Sequence, residues 1–154
     1  TAKNIFFANI SDFPSNIRHY IAEQSKRYLE NDSIFIFFKT LESLRIENKL
    51  HTINTSKITN DTPKTDILYS DDYVWIESVN VFAKIKLACQ NEGISFDLSR
   101  QELYQKLESE KLLITKDNRR SYEYRKGQFR QSVICLPRNN LNRYLTYDKE
   151  DIKL

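Results

Sequence analysis

The chain has 154 residues with a net charge of +3, and its 40% of hydrophobic residues are enough for the core of one compact domain. No apolar run exceeds the five residues Ile34 to Phe38, which excludes a transmembrane helix. Neither the spacing of a zinc site nor a disulfide framework is present, because the chain has only two cysteines, Cys89 and Cys135, and two histidines. We therefore expect no metal and a reducing, cytoplasmic setting. We also expect no cofactor and no membrane partner.

The chain begins at Thr1 and contains no Met. These two features predict a piece of a longer polypeptide, although removal of an initiator Met before a small Thr would leave the same N-terminus. The first residues also lack the basic and then apolar layout of a signal peptide.

Residues 1–53 are predicted to form an N-terminal helical segment, either a small helical lid or the tail of a preceding domain. Ser15 can cap a first helix, in which apolar residues recur at near-helical spacing: Ile17, Tyr20, Ile21 and Tyr28. A second helix is predicted from Asp32, with an apolar side formed by Ile34, Phe37, Phe38, Leu41 and Leu44. The run from Ile34 to Phe38 alone would also fit a buried strand.

Residues 54–71 are predicted as a polar connector, because residues 54–66 are rich in Thr, Ser, Asn and Asp. Residues 72–154 are predicted as the following domain. It begins with a β-prone segment from Tyr73 to Ile76 and continues with a helix from about Val79 to Asn91, which Gly93 can end in the left-handed conformation.

The next helix has the strongest local signature in the chain. Ser99 and Glu102 form a capping box, and Leu98 and Leu103 form a hydrophobic staple around the same helix start. Leu103, Leu107 and Leu112 are predicted to face inward, which leaves four polar side chains towards solvent: Arg100, Gln101, Gln105 and Lys106.

Beyond Ile114 the pattern predicts a β-hairpin. Tyr122 and Tyr124 alternate with charged residues, a turn is predicted at Lys126 to Gln128, and a returning strand ends at Pro137. Helix, short turn, helix and hairpin is the order of a winged helix, a helix-turn-helix variant in which the hairpin forms the wing. The predicted fold class is therefore α+β, a winged helix preceded by a small helical segment.

Catalytic motifs are lacking in the sequence. The chain has only two glycines, neither in a phosphate-binding loop, and Ser, His and Asp do not show a hydrolase spacing. Cys89 lies on the apolar side of its predicted helix, where a buried hydrophobe is expected. We therefore predict that the chain is not an enzyme.

The charge distribution is strongly uneven. Residues 111–143 hold nine basic and two acidic side chains, a balance of +7, whereas residues 1–110 hold 13 basic and 16 acidic ones. A clustered positive field attracts a polyanion at long range, and this makes nucleic acid the first partner to consider. Charged hairpins are also common simply because they are solvated.

The predicted nucleic-acid contacts fall into two sets. Long cations can bind phosphates, tyrosines can stack on bases or sugars, and Arg and Gln on an exposed helix can reach base edges. The tyrosines also fit a role in core packing, and the helix residues fit plain solvation. The candidate residues are Arg100, Gln101, Gln105, Lys106, Lys116, Arg119, Arg120, Tyr122, Tyr124, Arg125, Lys126 and Arg130.

Four groups of residues also resemble a known family. They are Phe38, Leu41, Ser43, Leu44, Lys49 and His51; Asp72 to Ile76; Glu92, Gly93, Leu98, Ser99, Leu103, Leu107 and Glu110 to Leu113; and Arg125 to Gln128 with Val133 to Leu136. Over roughly residues 32–140 this pattern resembles the C-terminal winged-helix-like region of self-loading, MCM-like AAA+ replicative helicases carried by bacterial mobile genetic elements. The resemblance implies a DNA-engaging or regulatory tail, with the ATP site elsewhere in a hexameric helicase.

The leading hypothesis is a non-catalytic domain of a replication initiator or helicase that binds duplex or forked DNA. The alternative is a protein-interaction module whose basic surface docks on the motor domain or on a partner subunit. Salt dependence separates them, because DNA affinity falls steeply as salt rises. A dimeric transcriptional regulator ranks last, because the sequence shows no heptad pattern.

Overall fold

A computed structural model of the protein describes residues 15–17, 19–20, 32–141 and 144. Within these residues a five-stranded sheet packs against helices, so the predicted α+β class is confirmed. None of the described helices combines the length and the apolar character that crossing a bilayer requires.

The first long helix that the structure describes, α1, spans Ser33–Ile46. Asp32 caps it, because its side chain accepts a hydrogen bond from the Ile34 backbone N–H at 2.9 Å. The predicted helix is confirmed, and the strand alternative for residues 34–38 is wrong. Of the earlier predicted helix, residues 15–17 and 19–20 are helical, while Ile21 and Tyr28 lie outside the described residues.

The sheet has the strand order β1-β2-β3-β5-β4. β1 and β2 pair in parallel, and the other neighbours are antiparallel. The strands are β1 Thr52–Asn54, β2 Ile67–Tyr69, β3 Tyr73–Glu77, β4 Ser121–Lys126 and β5 Phe129–Pro137.

The predicted hairpin is formed by β4 and β5, which turn at Gly127 and Gln128. β5 also pairs along the whole of β3, from Tyr73 opposite Pro137 to Glu77 opposite Val133. The hairpin and the strand near residues 73–76 therefore belong to one sheet.

Two strands, β1 and β2, were not predicted. β2 falls within residues 54–71, the predicted polar connector, and its three residues are all buried. A 3-10 turn at Thr55–Lys57 follows β1. Thr65, two residues before β2, is buried as well. Residues before and after the predicted connector therefore belong to one sheet, and the division into domains stays a prediction.

The two helices between β3 and the hairpin are as predicted. α2 spans Asn80–Asn91 and is followed by Gly93 at φ 69°. α3 spans Arg100–Ser109 and begins with the capping box: the Ser99 hydroxyl accepts from Glu102 N–H at 3.2 Å, and the Glu102 carboxylate accepts from Ser99 N–H at 2.7 Å. A short helix, α4, spans Arg138–Leu141.

One main core joins α1, α2 and α3 to one side of the sheet. Alternate strand residues such as Val74, Ile76, Ile134 and Leu136 lie in this cluster with the buried residues of the three helices. Leu103 and Leu107 of α3 are buried, as predicted, and so is Leu112, which follows the end of the helix. The helices therefore cover one side of the sheet and leave its other side to a separate set of contacts.

Candidate nucleic-acid interface

The sheet has two chemically different sides. We call the side packed against α1, α2 and α3 the helix face, and the other side the aromatic face. On the aromatic face, a separate cluster contains Leu68, Phe129 and Ile58, with Trp75 and Tyr124 packed against it. Side chains one residue apart on a strand point to opposite sides, so Trp75 and its neighbour Ile76 belong to different faces.

The aromatic face carries a row of contacting rings. The Trp75 ring lies 5.8 Å from Tyr73 and 5.2 Å from Tyr124, measured between centroids, and Tyr124 lies 6.3 Å from Phe129. The Trp75 indole N–H donates a hydrogen bond to the Tyr122 hydroxyl at 3.0 Å. Tyr73 remains 40% exposed. These contacts fix the ring orientations and leave part of the row in reach of solvent.

A groove of about 510 Å³ opens at the β4 end of this row. Its aromatic lining comes from the sheet, and its charged lining comes from β4 and from the turn before β4. The lining residues are Trp75, Lys116, Asp117, Arg119, Tyr122, Glu123, Tyr124 and Arg125.

A tight turn places two of the cations in the groove. Lys116 and Arg119 exchange backbone hydrogen bonds of 3.0 and 2.9 Å across Asp117 and Asn118, which both have positive φ, 51° and 59°. Positive φ at both central residues is the requirement of a type I′ hairpin turn, which Asp and Asn tolerate. The turn therefore holds Lys116 and Arg119 side by side.

The two cations differ in their partners. The Lys116 ammonium lies 5.1 Å from the centre of the Tyr122 ring, within the range of a cation–π contact. The Arg119 guanidinium makes no hydrogen bond or ion pair with any residue in the described part of the chain. The Arg119 guanidinium is therefore available to pair with an anionic ligand in the groove.

The titratable groups beneath the groove stay neutral. Burial raises the pKa of Tyr122 to about 12, and burial also raises the pKa of the Tyr124 hydroxyl. Burial raises the pKa of the Cys135 thiol as well, which removes the thiolate that a nucleophile would need. The aromatic floor therefore adds no negative charge at neutral pH.

Other predicted cations lie towards the helix face. Arg125 and Arg130 are direct partners across the hairpin, on the same side as Ile134, and their side chains are 64% and 63% exposed. Both guanidinium groups approach the Glu123 carboxylate, at 2.7 and 3.9 Å. Arg125 also borders the groove because β4 is an edge strand.

Arg120 connects the hairpin approach to α3. Its guanidinium forms an ion pair with the carboxylate of Glu108, one residue before the end of that helix. On α3 itself Gln101, Gln105 and Lys106 are exposed. Arg120 and the hairpin arginines therefore lie on the same side of the sheet as the exposed polar surface of α3.

Two predicted residues have other roles in the structure. Arg100 is half-buried and donates to the Ser78 carbonyl at 3.4 Å, so it is not fully directed to solvent as expected. Lys126 donates to the Thr55 carbonyl at 2.5 Å. These contacts tie both side chains to the protein backbone.

The tip of the hairpin is not a free wing. The Gln128 N–H donates to the Asn60 side-chain oxygen at 3.0 Å. The Gln131 side chain exchanges two hydrogen bonds with the Thr65 backbone, of 2.8 and 2.5 Å. The segment from residue 55 to residue 65 therefore holds the hairpin from one side.

The structure divides the predicted contact residues between two surfaces. The groove collects Lys116, Arg119, Tyr122, Tyr124 and Arg125, while Gln101, Gln105, Lys106, Arg120 and Arg130 lie towards the helix face. Sequence reasoning missed Trp75 as a groove residue. Its β-prone segment was recognised, but only the pairing of β3 with β5, and of β5 with β4, brings Trp75 beside Tyr122.

No group of three or more His, Cys, Asp or Glu among the described residues is arranged to hold a metal ion. No protein-family model matches the chain, and no curated protein matches it significantly. The function is therefore proposed from the geometry of the two surfaces.

Proposed function

We propose that the chain is a non-catalytic DNA-binding domain of the winged-helix type, which engages duplex or forked DNA. The order α1, β3, α2, α3 and the β4–β5 hairpin, with the strand order β3-β5-β4, supports this fold. In a helix-turn-helix arrangement the second helix enters the major groove, and α3 holds that position. β1 and β2 are additions at the far edge of the sheet.

The observation that carries this proposal is a set of cations on the same side of the sheet as α3. Arg125 and Arg130 lie opposite each other on the helix side of the hairpin, and Arg120 is bound to Glu108 of α3. Long cations of this kind contact phosphates and position a protein on the duplex. Gln101 and Gln105 are then available for base edges, since a glutamine amide can form a bidentate contact with adenine.

The family resemblance extends this proposal to a larger protein of which the domain would be a part. The resemblance to the helicases of bacterial mobile elements supports a role as the DNA-engaging tail of a replicative motor. ATP would be bound and hydrolysed by another part of that protein, and this domain needs no cofactor for its own contact with DNA.

A pair of charge reversals tests the duplex contact. In a Lys106→Glu/Arg130→Glu variant, phosphate contacts become repulsive, and we expect the affinity for duplex and forked DNA to fall by at least about tenfold in an anisotropy titration. The matched control is Lys39→Glu/Lys64→Glu, which has the same change in net charge at exposed positions outside the proposed interface. We expect its loss to be several-fold smaller.

Equal losses in the two variants would show that only net charge matters, which contradicts a defined interface. No loss in either variant would reject DNA binding by this surface. The protein-docking alternative then applies, and binding of the parent chain to an acidic protein surface would be abolished by the same two reversals.

A further inference from the structure

The aromatic groove opens on the opposite side of the sheet from α3, and of its lining residues the duplex contact proposed above uses only Arg125. We infer that the groove is a second nucleic-acid site, which takes an unpaired nucleotide of a single strand, with the base against the aromatic rings and its phosphate beside Arg119 and Lys116. This inference rests on the proposed function only in taking nucleic acid as the partner.

The aromatic lining selects unpaired bases. In a duplex the faces of the bases are covered by their neighbours, so a protein ring can stack only on a base that has left the stack. The groove presents Trp75, Tyr122 and Tyr124 together, and its volume of about 510 Å³ falls in the size range of small-molecule sites. It suits one nucleotide rather than two paired strands.

The charged lining selects an anion. Lys116 and Arg119 are exposed and are held side by side by the turn, and Arg119 has no acidic partner among the described residues. Of the two carboxylates in the lining, Glu123 is already held by Arg125 and Arg130. Asp117 occupies a turn position with positive φ, which aspartate tolerates, so the geometry of the turn accounts for an aspartate at this position.

Other occupants match only half of this lining. An apolar peptide would remove water from Lys116 and Arg119 without giving them a counterion, which is costly. An acidic peptide would supply carboxylates but no flat surface for Trp75 and the tyrosines. A single nucleic-acid strand supplies both a flat base and a phosphate at every step, which is the usual combination at single-strand sites.

The groove contains its own reporter, because Trp75 is the chain's only tryptophan. The full chain is titrated with a single-stranded oligothymidylate and, separately, with a duplex of equal length. Trp75 fluorescence reports the groove, and anisotropy of labelled DNA reports all binding. We expect the single strand to change Trp75 fluorescence and the duplex to leave it nearly unchanged.

Two double variants with the same charge change separate the sites. Lys116→Glu/Arg119→Glu should weaken single-strand binding by at least about tenfold and leave duplex affinity within about twofold of the parent. Lys106→Glu/Arg130→Glu should do the reverse. Tyr122→Phe keeps the ring and should retain single-strand binding, whereas the milder Arg119→Ala should weaken it, and circular dichroism verifies the fold of each variant.

Each outcome bears on a different proposal. If duplex binding is present but the single strand neither binds nor alters Trp75, the groove inference is wrong and the proposed function stands. If the groove variant weakens duplex and single strand alike, the groove is not a separate site and the inference is also wrong. If the single strand binds as expected and the duplex does not, the proposed duplex function fails alone.

Discussion

Gly127 shows how a single residue can serve a turn and a tertiary contact together. It has φ 58° at the hairpin turn, and a Cβ atom there would overlap the Asn60 side-chain oxygen. The same oxygen accepts a hydrogen bond from Gln128. Turn chemistry predicted the glycine's position, but its contact with Asn60 depends on a loop 67 residues earlier in the chain.

A Gly127→Ala substitution should therefore destabilise the protein for two reasons. The left-handed conformation costs an alanine roughly 1–2 kcal/mol, and the clash with Asn60 adds to this. In urea denaturation followed by circular dichroism, Asn60→Ala should recover part of the loss in the Gly127→Ala background but slightly destabilise the parent. The same effect of Asn60→Ala in both backgrounds would mean that the two residues are not in contact.

Tyr122 predicts a dependence of stability on alkaline pH. Its pKa rises from 10.0 to about 12 because burial disfavours the phenolate. The folded chain therefore holds this proton more tightly than the unfolded chain, so the stabilisation is complete below pH 10 and is lost as the pH rises towards 12. Tyr122→Phe should reduce the slope of unfolding free energy against pH in that window, and an unchanged slope would contradict the buried hydroxyl.

At the scale of elements, α3 is the best-defined part of the chain. Ser99 and Glu102 each accept the other's backbone N–H, which fixes where the helix begins. Leu103, Tyr104 and Leu107 then bury one side of it, and the Tyr104 hydroxyl donates to the Ser78 carbonyl at 2.5 Å. The orientation of α3 against the sheet follows from these contacts.

Ser99→Ala should lower the free energy of unfolding by about 1 kcal/mol, because the Glu102 N–H loses its acceptor. Ser109→Ala is the matched control at the other end of the helix, where the hydroxyl only donates to the Lys106 carbonyl. We expect a change within about 0.5 kcal/mol for that control. A loss below about 0.2 kcal/mol for Ser99→Ala would show that the capping box does not contribute.

The exposed glutamines of α3 predict sequence discrimination. If they contact base edges, Gln101→Ala/Gln105→Ala should reduce the preference for a selected duplex over a random one by about 1–3 kcal/mol per lost contact. The dependence of affinity on salt should hardly change, because no phosphate contact is removed. Uniform weakening towards both duplexes, with a flatter salt dependence, would assign these residues to phosphates instead.

Some elements could be predicted from sequence, and others could not. α1, α2 and α3 show helical spacing of apolar residues, and the hairpin shows alternation with a glycine turn. β2 has three consecutive buried residues and therefore no alternation, and β1, with the sequence Thr-Ile-Asn, resembles its polar surroundings. β2 exists because β3 provides its partner, and β1 exists because β2 provides its partner. Neither strand's own sequence contains this information.

At the scale of the whole molecule, the positive side chains of residues 111–143 are distributed between the two sides of the sheet. The net charge of residues 111–143 was visible in the sequence, and so was the alternation of tyrosines with charged residues on β4. The sequence did not reveal which side of the sheet the helices cover, because this depends on the register of β3 with β5. That register places Arg130 and α3 on one side and Trp75 with Tyr122 on the other.

The salt dependence of duplex binding tests the central claim most directly. We predict that the logarithm of the parent's association constant falls linearly with the logarithm of salt concentration, with a slope of about −0.9 for each phosphate contacted. Lys106→Glu/Arg130→Glu should make this slope shallower by roughly one for each lost phosphate contact, while Lys39→Glu/Lys64→Glu leaves it near the parent value. A parent chain without measurable duplex affinity at low salt, or a slope that Lys106→Glu/Arg130→Glu does not change, would contradict a DNA interface at α3 and the hairpin.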